Sequence, residues 1–156
     1  MVGRTVLMVT GALALAGAIA AIVMFQPTHA AGLLQPEDPD TIARGAEVYA
    51  AECAACHGDN LEGQPNWRIR GEAGLLPAPP HDASGHTWHH ADDPLFTLTK
   101  YGLAGLMENP PPSGMPNYSG ILSDAEILAV LSFIKSTWPD DVRAYHDELN
   151  TQSGPD

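Results

Sequence analysis

Apolar and polar positions divide this chain into stretches of different rhythm. From Val6 to Phe25 no charged residue interrupts an apolar run. Twenty residues at a rise of 1.5 Å span about 30 Å, the thickness of a bilayer core. No polar face breaks the run, so a buried helix of a soluble domain fits it poorly. Arg4 precedes it, and Glu37, Asp38 and Asp40 follow. This charge pattern predicts that residues 31–156 face outward. Residues 1–30 therefore read as an N-terminal membrane anchor or a signal peptide. The length favours an uncleaved anchor, while Thr28-His29-Ala30 offers a small-residue cleavage site. The Pro-, Gly- and acid-rich stretch after it reads as a linker, residues 31–39.

Helical rhythm begins next. A first helix is predicted from Thr41 to Cys53 with Asp40 as N-cap. Ile42, Ala46, Tyr49 and Cys53 fall on its stripe. Gly58 to Asp82 is irregular and full of turn residues. Asp93-Pro94 then looks like the N-cap and first position of a short helix. Leu95, Leu98 and Tyr101 share one side of it, and Gly102 ends it. Residues 103–120 are again rich in Pro and Gly. The clearest helix follows. Ser123 and Glu126 form a capping box, Ile127, Val130, Leu131 and Ile134 give its stripe, and Pro139 stops it. A short acidic helix is expected from Asp140 to Leu149. No strand pattern and no internal repeat stand out. Residues 40–139 thus form one all-α domain of three to four helices with long loops, followed by an acidic tail, 140–156.

Composition changes this picture in one respect. Leu, Ile, Val and Phe supply only 23 of the 131 residues after Phe25, about 18%. So low a fraction with high net charge marks a chain that struggles to fill its own core. Either the segment is disordered or something besides its side chains fills the middle. The whole chain of 156 residues carries a formal charge of -12. From residue 26 onward, 6 cations face 19 carboxylates, giving -13. Such an acid excess excludes a nucleic-acid partner, which would need a basic face.

Candidate chemistry supplies the filler. Both cysteines lie in Cys53-Ala54-Ala55-Cys56-His57, a C-x-x-C-H motif. Two thiols one helical turn apart can form thioethers with the two vinyl groups of a haem, and the adjacent imidazole can reach the iron. Three other readings compete. A thioredoxin-like redox pair needs a βαβ context. A zinc site needs two further ligands, which the histidines at 81–90 could supply. A short-range disulfide suits an exported protein. The spacing favours one covalently bound haem c. The second axial ligand has several candidates: Met107, Met115, His81, His86, His89, His90 and His146. Met115 is favoured, because Ser113-Gly114-Met115-Pro116 follows three prolines and a stiff loop can hold a thioether on iron. A His/Met pair raises the potential relative to His/His.

Residues 41–138 resemble the class I c-type cytochromes, monohaem electron carriers of mostly α-helical fold. The resemblance rests on Cys53–His57 with Gly58, preceded on one helix by Gly45 and Tyr49. In the family these two pack on the C-terminal helix, where Val130 and Phe133 take the matching places. Thr87-Trp88 resembles the segment whose Trp bonds a haem propionate. Glu108-Asn109-Pro110 and Gly114-Met115-Pro116 resemble the loop to the axial Met. The resemblance implies a class I fold, with Cys53 and Cys56 attaching haem c, His57 and Met115 as axial ligands, and Trp88 as a propionate contact. It also implies a Pro carbonyl that accepts from the ligand imidazole. Here the loop is longer, and Pro77, Pro79 and Pro80 are all candidates. The lysine-rich docking face of the mitochondrial members is missing.

The expectation is an electron-transfer protein rather than an enzyme, on the periplasmic side of a bacterial inner membrane, anchored or soluble after cleavage. Its partners would be redox proteins with a basic docking patch. The alternatives are a haem c sensor or peroxidase-like protein with a labile sixth site, and a copper-binding redox module using His81, His86, His89 and His90. Those histidines read more simply as loop and helix-entry residues. Trp67, Arg68 and Arg70 could bond propionates or line a solvated loop. The acids of the tail read as a solvated face.

Overall fold

The computed structural model describes residues 32–153, so the predicted leader lies outside the described residues. Among the described residues no helix is long and apolar enough to cross a membrane. Three helical pieces follow one another directly: α1 (Pro39–Val48), a π turn (Tyr49–Cys53) and α2 (Ala54–His57). After a long irregular stretch come a 3₁₀ turn (Thr87–His89), α3 (Asp92–Tyr101) and a second 3₁₀ turn (Leu103–Gly105). Then follow α4 (Asp124–Ser136) and α5 (Asp140–Gln152). Among the described residues there is no strand, only an isolated bridge between Ser119 and Leu122. The fold is all-α.

The centre of the molecule is the crossing of α1 and α4. A side chain at Gly45 would put its Cβ 2.1 Å from the Ala129 carbonyl and 2.7 Å from the Phe133 Cβ. Only glycine lets the two backbones come this close. One turn on, the Tyr49 and Phe133 rings meet at 5.5 Å. Phe133 thus lies where the resemblance put it, and the atom nearest Gly45 is the Ala129 carbonyl, one residue before Val130. Val130 is buried in the same core beside Val48, Ile127, Leu131, Ile134 and Trp138. The Ser123 capping box is present as expected, with Ser123 Oγ accepting from the Glu126 amide and the Glu126 carboxylate accepting from the Ser123 amide.

Four boundaries differ from expectation. The cap of α1 is Asp38, whose carboxylate accepts from the Thr41 amide, with Pro39 at the first helical position. Asp40 therefore sits inside the first turn. The first helix also does not stay regular to Cys53, since a π turn begins at Tyr49. α3 starts at Asp92 after Ala91, so Asp93 is helical and caps nothing. Its buried side runs through Asp92, Leu95 and Thr99, which leaves Tyr101 exposed. α5 continues three residues past Leu149 and buries His146 completely, so the tail is not wholly a solvated face.

Candidate functional site

The π turn delivers the C-x-x-C-H motif. One extra residue per turn there resets the helix phase just before Cys53, a device common at functional sites. Tyr49 is buried, and its hydroxyl donates to the Gly58 carbonyl at 2.9 Å. It therefore ties the start of the π turn to the residue after His57. Gly58 has φ +84°, and a Cβ there would collide with the Glu62 carboxylate. Cys53 is half-buried and Cys56 exposed, and the two are not joined in a disulfide. Burial, reinforced by Glu52, pushes the Cys53 thiol up to about 11. Such a thiol is protonated at neutral pH, unlike the activated cysteine of a thiol oxidoreductase.

His57 is buried, with Nδ1 2.8 Å from the Pro79 carbonyl. A carbonyl only accepts, so Nδ1 carries the hydrogen and Nε2 keeps a lone pair free for a metal. Of the three prolines considered, Pro79 is the one in contact. Its position follows from two segments lying side by side. Gly63 N donates to the His57 carbonyl at 2.7 Å, Gln64 N to Ala78 at 2.8 Å and His81 N to Leu61 at 2.8 Å. Leu61 holds an unusual left-handed φ of 65° to make this turn, and its carbonyl takes both the His81 and Asp82 amides. His81 stacks on His57 at 4.0 Å between centroids and bonds the Thr87 hydroxyl at 2.8 Å. Burial pushes the His81 imidazole down to about 3.

On the next turn, Trp88 packs against the core and stacks on His89 at 3.7 Å. Its Nε1 is the buried side-chain polar atom left without a partner among the described residues. An orphaned indole N–H costs about 1–3 kcal/mol unless an acceptor from outside the chain meets it. Trp67 stacks on His86 at 5.2 Å, and the Arg68 guanidinium lies 4.1 Å from the Trp67 ring. These three residues, Leu76, Pro77 and Pro79 line a cavity of about 310 Å³. Arg70 instead donates to the Gly74 carbonyl within its own loop at 2.7 Å.

Met115 is half-buried, and its amide donates to the Ser113 hydroxyl at 3.1 Å. The loop is pinned three residues later. Tyr118 N donates to the Thr99 carbonyl and Ser119 N to the Lys100 carbonyl. The buried Tyr118 hydroxyl donates to the Glu52 carbonyl at 2.8 Å, next to Cys53. Tyr118 therefore joins the Met115 loop to the attachment turn. Sequence reasoning missed it, although a tyrosine ending a Pro-rich loop was the available signal. Met107 is exposed. His86 and His90 rings meet at 5.5 Å. Among the described residues no group of three or more His, Cys, Asp or Glu side chains converges as a metal site. His146 faces the His90 carbonyl and not the C-x-x-C-H turn.

Fold and site together define an all-helical domain whose loops close around a C-x-x-C-H turn. Residues 42–138 match the family model described as Cytochrome c, and the chain belongs to the cytochrome c family. No solved structure matches the chain. A domain of this family implies covalently bound haem c and haem-based electron transfer. The residues present fit that group. Two thiols and a lone-pair nitrogen share one turn, and the orphaned Trp88 N–H awaits an acceptor such as a haem carboxylate.

Proposed function

We propose that this chain is a class I, monohaem electron carrier in which Cys53 and Cys56 attach the haem and His57 and Met115 ligate its iron. The observation that supports it most is the His57–Pro79 bond, which orients the imidazole and leaves Nε2 as the coordinating atom. When bound, the group supplies a reversible one-electron iron couple. The protein's part is placement and shielding. The Pro79 carbonyl fixes the imidazole tautomer and raises its basicity. Met115, on a proline-stiffened loop held by Tyr118, favours the reduced state relative to a second histidine. With His57 and Met115 both holding the haem iron, no position would be left on it for a substrate. Trp88 and Arg68 are the donors best suited to the haem carboxylates.

Electrons would pass at the thioether edge, where Cys56 reaches the surface. The charge of -13 after residue 26 steers a basic partner surface toward it, and salt weakens that attraction. The partners are accordingly redox proteins with basic patches. Domains of this family are usually extracellular or periplasmic, in keeping with export behind the apolar leader. An anchored leader would keep the carrier near membrane-bound redox enzymes.

The intact mass of the purified protein tests attachment: one haem that survives denaturation is expected, and an apo mass would refute it. For the sixth ligand, Met115→Ala should abolish the weak near-infrared iron–sulfur band of the oxidised protein. An unchanged band would remove Met115 from the site.

A further inference from the structure

The family match ends at residue 138, and α5 lies wholly beyond it. Its sequence is acidic and poor in large apolar residues. Yet it docks through a fully buried imidazole, which an ordinary surface helix has no use for. Neutral His146 has a polar neighbour at each nitrogen, and the Asn150 amide nitrogen is shared among the His146 Nδ1, the His146 carbonyl and Asp92. Nε2 donates to the His90 carbonyl at 2.9 Å, and Nδ1 lies 3.3 Å from the Asn150 amide nitrogen. Asn150 in turn grips the first residue of α3. Its Oδ1 accepts from the Asp92 amide at 2.8 Å, and its Nδ2 donates to the Asp92 carboxylate at 3.1 Å. The other Asp92 oxygen accepts from Leu34 N at 3.2 Å. Lys135 of α4, almost fully buried, bonds Asp147 at 2.5 Å and fastens the helix from below. A leucine at 146 would fill the same space but leave the His90 carbonyl unbonded.

These bonds hold the joint between the Trp88 turn and α3. α5 also touches Trp88 itself, since the Tyr145 ring stands edge-on to the indole at 5.6 Å and to His89 at 5.9 Å. With Nε1 lacking a bond from the chain, the indole is held by packing alone, against the core on one side and against the His89 and Tyr145 rings. We propose that α5 is part of the haem site, with Tyr145 and His146 as positioning residues that aim the Trp88 N–H at a haem carboxylate. The proposal rests on the haem c reading above, and its failure is distinguishable from failure of that reading because attachment is scored separately by mass.

The test uses the full-length holoprotein and two readouts: midpoint potential, and exchange of the Trp88 indole N–H followed by NMR. Trp88→Phe sets the reference. Losing a donor to a carboxylate leaves its negative charge uncompensated, so the ferric state gains and the potential falls. Tyr145→Leu should lower the potential in the same direction by a smaller amount and speed indole exchange several-fold, with haem content unchanged. The double variant Trp88→Phe/Tyr145→Leu should fall no further than Trp88→Phe alone, since both act through one bond. His146→Ala should behave like Tyr145→Leu, and His146→Gln, whose amide can reach the His90 carbonyl, should restore the potential. If His146→Ala fails to fold, Tyr145→Leu still decides, because Tyr145 is 44% exposed and outside the buried network. Additive shifts in the double variant, an unmoved potential in Tyr145→Leu, or an unmoved potential in Trp88→Phe would each overturn the proposal. In the last case a haem-bearing mass would leave the carrier reading standing.

Discussion

The α1–α4 crossing and the loops that surround the C-x-x-C-H turn solve the same problem in opposite ways. At the crossing the chain fills its own interior. Gly45 brings the backbones together, Tyr49 meets Phe133, and Val48, Ile127, Val130 and Ile134 are buried around them. Residues 58–90 and 103–120 bury far fewer aliphatic side chains. They are held by single hydrogen bonds and ring contacts, such as His57 to Pro79, His81 on His57 and Tyr118 to Glu52. The first region can be stable on packing alone. The second encloses little apolar filling of its own, and its buried Trp88 N–H has no partner among the described residues; the haem c that the family implies would supply both.

The largest effect should come from removing the filler. Cys53→Ser with Cys56→Ser should yield a protein of apo mass whose circular dichroism melt has lost its cooperative transition. Helix content from α4 should outlast order in the loops. A compact, cooperatively melting apo form would break the contrast, because the loops would then be shown to pack on their own side chains.

Next comes a substitution on the self-packed side. Gly45→Val places carbon where the Ala129 carbonyl already lies, against backbone that cannot yield cheaply. About 3 kcal/mol of destabilisation is expected, read as a shift in denaturant midpoint. Gly74→Ala, in the loop half, serves as the control. It has φ +75° but nothing within 4 Å of an added Cβ, so only the left-handed backbone cost of about 1 kcal/mol applies. Equal losses at the two glycines would mean that the crossing is not the tighter region.

The same division decides what was legible in the sequence. α4 could be read closely, because a capping box and a four-residue apolar stripe are local signals that tertiary contacts reinforce. The C-x-x-C-H turn was legible for a similar reason, since its chemistry sits within five residues. The π turn was not, because it is driven by the seating of Tyr49 and the Gly58 carbonyl rather than by propensity. The choice among Pro77, Pro79 and Pro80 was equally hidden. It depends on Leu61–Gln64 lying beside Ala78–His81, a pairing with no sequence rhythm. Asp38 takes the place of Asp40 as cap because Pro39 suits the first helical position. His146 reads in the sequence only as one more candidate axial ligand, since nothing local in an acidic helix marks a single imidazole as a buried anchor.

The smallest effects sharpen the comparison most finely. Ser123→Ala removes the cap of α4, and Tyr118→Phe removes the hydroxyl that reaches the Glu52 carbonyl. Each should cost about 1 kcal/mol, so stability alone will not separate them. Their consequences at the metal should differ. Ser123 lies on the self-packed side, and its loss should leave the near-infrared iron–sulfur band and the potential unchanged. Tyr118 links the Met115 loop to the residue before Cys53. Burial pushes its phenol up to about 12, so the hydroxyl keeps its proton and donates throughout the neutral range. Freed of that bond, the loop should hold the thioether less firmly. The band should weaken at alkaline pH, where hydroxide or a deprotonated side chain competes for the iron, while the Ser123→Ala protein keeps it. An identical response of the two variants would show that the Met115 loop owes its place to its prolines alone, and that Tyr118 merely fills the core.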